Sequence, residues 1–81
     1  MQKLLDSIRI ALDDAQKEKK KAATLHSLVL IHAAELASLE PLEFCRQLGI
    51  HKSYQTEFRK MLSATRVLEE LGYAVQEIEK N

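Results

Sequence analysis

Apolar and polar positions alternate with helical spacing over the first nineteen residues. Leu4 or Leu5, Ile8, Ala11 or Leu12, and Ala15 recur three and four apart, one stripe of an amphipathic helix predicted from Gln2 to about Lys19. A second helix is predicted from Thr24, a good N-cap residue, to about Ala37. Its Leu25, Leu28, Val29, Leu30, Ile31 and Leu36 surround most of the circumference, so it is either central in a core or covered by another chain. Pro41 suits the first position of a third helix, with Glu40 or Ser38 as cap and Leu42, Phe44 or Cys45, and Leu48 facing inward. Gly49 fits the left-handed residue that ends it. A fourth helix is predicted after His51-Lys52, with Ser53 as N-cap. Its inner stripe is Tyr54, Phe58, Met61 or Leu62, Thr65, Leu68 and Leu71, and Gly72 closes it. The pattern of residues 73–81 leaves a short strand, a wing-like extension and a frayed helix equally open.

The expected fold class is therefore all-α: one four-helix domain over residues 1–81. Residues 1–39 form a supporting or dimerising hairpin, 40–72 the second helix pair, and 73–81 a tail. Two glycines, one proline and no tryptophan in 81 residues agree with a helical chain. At that length a single core buries roughly 60% of the unfolded surface. No apolar run approaches the ~18 residues of a membrane span. The opening MQKLLDSIRI carries Asp6 within its apolar pattern and lacks the features of a secretory signal. A lone Cys45 has no partner for an internal disulfide, which points to reducing cytoplasm. Net charge is zero but segregated. Residues 17–21 (KEKKK) and residues 41–66 each carry +3, while residues 67–81 carry −3. Such segregation builds a basic face on a neutral protein. The KEKKK run itself reads as a solvated helix end that complements the macrodipole.

Around Gly49 the pattern is more specific. A small residue, Cys45, stands four before the glycine, where crossing helices approach closely, and Leu48 and Ile50 flank it. Over about 20 to 30 residues from Pro41 the chain resembles the helix-turn-helix superfamily. The stretch LGIHKSYQTEFRKMLSATRVLEELG is similar to small bacterial helix-turn-helix-like domains. One position departs from the superfamily: six after the glycine, where an aliphatic residue is usual, stands Gln55, with Tyr54 and Phe58 nearby to supply packing.

The resemblance implies binding of double-stranded DNA by a small transcriptional regulator, as a homodimer that doubles its contacts on a palindrome. It places His51, Lys52, Ser53, Thr56 and Lys60 toward the duplex, with Gln55 and Arg59 close by and Arg46 near the backbone. Lys52 and Lys60 would neutralise phosphates, and free amides at the start of the fourth helix would bind one. Gln55 suits adenine and Arg59 guanine. Glu57 opposes this charge unless it pairs with Arg59 or Lys60, or accepts from a cytosine amino group. The competing reading is a helical protein–protein interaction or oligomerisation module without DNA binding.

Enzymatic chemistry is not indicated. His26 and His32 lie about 120° apart on a helix, unlike ligands that share a face, so no metal or other cofactor is expected. Asp13-Asp14 and Glu69-Glu70 are adjacent in sequence and point about 100° apart, as solvated charges do. Cys45 has no neighbouring base, and no small-molecule substrate site is evident.

Overall fold

A computed structural model describes residues 1–78. It contains α1 (Gln2–Lys17), α2 (Lys21–Ile31), α3 (Ala33–Leu36), α4 (Pro41–Leu48) and α5 (Tyr54–Glu70), and is all-α. Helix α2 packs on both α1 and α5, α4 packs on α5 and α1, and α3 bridges α2 and α5. The expected stripes meet in one core: Leu5, Ile8 and Leu12 of α1, Leu25 and Val29 of α2, Leu36, then Phe44, Cys45, Leu48 and Phe58.

Among the described residues five helices stand where four were expected. The predicted 24–37 helix is interrupted at His32, whose φ of −106° and ψ of 22° leave the helical well. The single turn α3 follows, with Ala33 and Leu36 still on the buried side. Helix α2 also begins earlier than predicted. Lys20 precedes it and Thr24 lies inside it, its amide donating to the Lys20 carbonyl. Two residues expected to point inward are exposed. Leu42 lies off the Phe44–Cys45–Leu48 face of the eight-residue α4, and Leu71 falls just beyond α5. Residues 73–78 follow with neither helix nor strand, and residues 79–81 of the expected tail lie outside the described residues.

The lysine run, read as a helix end reaching Lys19, is a corner. Helix α1 stops at Lys17, and Lys19 takes a left-handed φ of 60°. The Lys19 amide donates to the Gln16 carbonyl at 3.1 Å and the Lys20 amide to Ala15 at 2.9 Å. These are the paired bonds of a Schellman stop, repeated at Gly49 and Gly72, where glycine makes the left-handed turn without side-chain strain. Lys19→Gly should therefore raise stability by about 0.5–1 kcal/mol and the melting midpoint by several degrees, followed by circular dichroism. A lower midpoint would mean that the corner owes its shape to the lysine side chain.

Candidate nucleic-acid interface

Helix α4 opens with Pro41, whose missing amide costs nothing at that position, and Glu40 caps it by accepting from the Glu43 amide at 3.0 Å. It closes at Gly49, φ 66°, with the Gly49 amide bonded to Arg46 O and the Ile50 amide to Cys45 O. Half-buried Ile50 packs against the core just past this stop. Phe44 of α4 and Phe58 of α5 stack with centroids 4.2 Å apart and planes 21° apart, both fully buried. Tyr54 is half-buried beside them. Phe58 and Tyr54 thus supply the packing that Gln55 does not, and the stacked pair ties α5 to α4. Burial of Cys45, with Glu40 nearby, pushes its thiol pKa up, away from the reactive thiolate.

With Phe58 inward, the opposite side of α5 faces out. His51, Lys52, Ser53, Thr56, Arg59 and Lys60 are exposed, while Gln55 is half-buried. The same outer face continues through Ser63 and Arg66. Arg66 was absent from the sequence-derived set, although it stands seven residues after Arg59, a separation of nearly two full turns that puts both in one row. Arg46 is exposed but committed within its own helix. Its Nε donates to a Glu43 carboxylate oxygen at 2.8 Å, its second fork bonds the other oxygen, and Gln47 donates there as well. These donors hold the Glu43 carboxyl below its ordinary pKa, and the Glu43 carboxylate in turn raises that of Arg46.

The segment between the helices is internally bonded. Ser53 donates its amide to His51 Nδ1 at 3.1 Å, and its hydroxyl lies 2.9 Å from the same nitrogen. An Nδ1 that accepts from an amide carries no proton, so Ser53 Oγ donates too and the His51 hydrogen sits on Nε2. The Tyr54 amide bonds His51 O and the Gln55 amide bonds Lys52 O, both at 3.1 Å. Two expectations are corrected here. Amides 53 to 55, expected to capture a phosphate, already have partners. Ser53 occupies the N-cap position, yet its side chain bonds His51 rather than capping α5.

Two contacts hold α5 against α2. His26 Nε2 meets Glu57 Oε2 at 2.9 Å, and the Lys21 ammonium lies 5.6 Å from the Tyr54 ring centroid. Glu57 is thereby turned toward α2, neither toward Arg59 nor toward Lys60. The pattern within α5 gave no sign of this, because His26 stands 31 residues away. Elsewhere, Leu30, Ile31, Leu68 and Val75, with Thr65 and the charged Glu69, line a shallow hollow of about 140 Å³. Exposed Ile31, Val67, Leu71, Tyr73, Val75 and Ile78 lie on these same elements or on the chain that follows α5.

Residues 1–70 match the model of a family described as HTH-like domain. The chain belongs to the HTH-like domain family. The match ends with the last residue of α5 and takes in α1 and α2, well beyond the 20 to 30 residues that carried the sequence resemblance. In this HTH-like domain α1 and α2 are therefore part of the family unit. Among curated proteins and among solved structures, none matches the chain. No helix of the described residues is long and apolar enough to cross a membrane.

Proposed function

We propose that this HTH-like domain binds double-stranded DNA as a small transcriptional regulator of the reducing cytoplasm, with α5 as the reading helix. The observation that carries this reading is the outward face of α5 and the turn before it. Lys52, Ser53, Thr56, Arg59 and Lys60 project clear of other protein, and Glu57, the acidic residue among them, is drawn off to His26. Lys52, Lys60 and the Nε2–H of His51 contact phosphates, while Arg59 and Thr56 reach base edges. Gln55, half-buried, stands at the edge of this face. Arg46 stays near the backbone, oriented by Glu43.

A homodimer fits the apolar surface at the other end of α5, where Leu71 and Tyr73 are 67% and 69% exposed. Single exposed apolar residues are ordinary, but a cluster of them marks a contact surface. The same cluster is the observation that favours the second reading, an interaction or oligomerisation module without DNA binding.

Titration of a mixed-sequence duplex across salt separates the two. A reader that neutralises six or more phosphates loses roughly 10³-fold or more in affinity between about 50 and 200 mM salt. Sedimentation at micromolar concentration is expected to give the dimer. Absence of DNA binding at low salt, with the dimer retained, would leave the interaction module as the function.

A further inference from the structure

The corner between α1 and α2 meets the start of α5. Lys21 opens α2 and carries its ammonium to the ring of Tyr54, the first residue of α5. The bonds from the Lys19 and Lys20 amides to Gln16 and Ala15 fix the corner in place. The segment read from sequence as a solvated helix end therefore sits beside the helix assigned to the duplex.

Lys19 and Lys20 of this corner are exposed and Lys21 is half-buried. Lys17 meets Asp14 at 3.8 Å and Lys20 meets Glu18 at 3.5 Å, in pairs whose side chains are all more than two-thirds exposed. Pairs of that kind are screened and contribute little, so an incoming phosphate readily displaces the carboxylate. Lys19 and Lys21 make no ion pair among the described residues. An ammonium facing an aromatic ring keeps other N–H donors for an oxygen acceptor. Glu57, the carboxylate of α5 that faces α2, is bonded to His26. Arg46 on the α4 side directs its Nε and one terminal nitrogen to Glu43.

We propose that Lys19, Lys20 and Lys21 form a second cationic contact on double-stranded DNA, holding phosphates beside the groove that α5 enters. This contact rests on the reading of α5 as the DNA-binding helix. It gives the α1–α2 corner a grip on the DNA backbone in addition to that of Arg46.

Anisotropy titrations of a mixed duplex between about 50 and 200 mM salt test the proposal. The variants are Lys20→Gln, the triple Lys19→Gln/Lys20→Gln/Lys21→Gln, and Lys3→Gln. The last removes one charge about 21 Å along α1 from Lys17. Each phosphate released should make the log–log salt slope shallower by about 0.9, so the triple variant changes it by roughly 2 to 3 and Lys20→Gln by about 0.9. Lys3→Gln should match the wild type.

Wild-type binding with an unchanged slope in the triple variant would overturn the corner contact and leave the α5 reading standing. Equal loss from Lys3→Gln and Lys20→Gln would also overturn it, since net charge alone would then explain the effect. If the wild type fails to bind, both readings fall. Should circular dichroism show the triple variant unfolded, Lys20→Gln decides, because that side chain is exposed.

Discussion

Alanine at Phe44 or Phe58 is expected to bring the domain to the edge of unfolding. Both rings are fully buried and stacked on each other, and they join the two helices that flank Gly49. Removing a buried phenyl costs about 3–5 kcal/mol, through lost transfer energy and the cavity left behind. Part of this is the ring–ring contact itself, about 0.5–1.5 kcal/mol. A domain of this length has only roughly 4–12 kcal/mol to lose, at ~0.05–0.15 kcal/mol per residue. The melting midpoint should therefore fall by more than about 10 °C for either variant. The double variant should lose less than the two single effects summed, because its members share one contact. Thermal melts followed by circular dichroism measure this. A fall below about 5 °C for either single variant would show that neighbouring Met61, Leu62 and Tyr54 close the space, and that the stack does not hold α4 to α5.

The second large effect concerns binding with the fold kept intact. Arg59→Ala and Lys52→Ala both remove exposed side chains that make no hydrogen bond or ion pair among the described residues, so the melting midpoint should barely move. On the proposed reading the two variants differ in kind. An arginine on a guanine edge is worth about 1–3 kcal/mol, so Arg59→Ala should lose roughly 5- to 150-fold on the preferred site and much less on mixed duplex. A lysine on phosphate is indifferent to sequence, so Lys52→Ala should weaken all duplexes alike and make the salt slope shallower by about 0.9. Unaltered affinity in both variants would remove α5 from the interface even if the protein binds DNA by another surface.

What could be read from the sequence was whatever repeats at helical spacing or depends on one special backbone angle. The stripe Leu5, Ile8, Leu12, Ala15 was legible up to a choice between neighbours, and the buried set is what a 3.6-residue period selects. Gly49 and Gly72 were legible because glycine at a helix end announces the left-handed turn. Lys19 adopts the same conformation without that signal, so the first corner was placed too late and α1 was drawn two residues too long. The break at His32 was hidden for a related reason. No proline or glycine marks it, and the apolar pattern runs straight through.

For the candidate interface, the outward residues followed from knowing which face of α5 was apolar. The partners of the others did not. Glu57 bonds a histidine 31 positions away, and Lys21 reaches a tyrosine 33 positions away, distances over which periodicity carries no information. The engagement of the Ser53 amide depends on one imidazole orientation, and that of amides 54 and 55 on a tight backbone turn, neither of which a residue pattern encodes.

That imidazole has a thermodynamic corollary. Since the loop leading into α5 is already tied by its own donors and acceptors, it has little freedom left to surrender when it docks. Association should consequently proceed as a rigid-body event, with a heat-capacity change no larger than the contact area itself demands and with no ordering step in its kinetics.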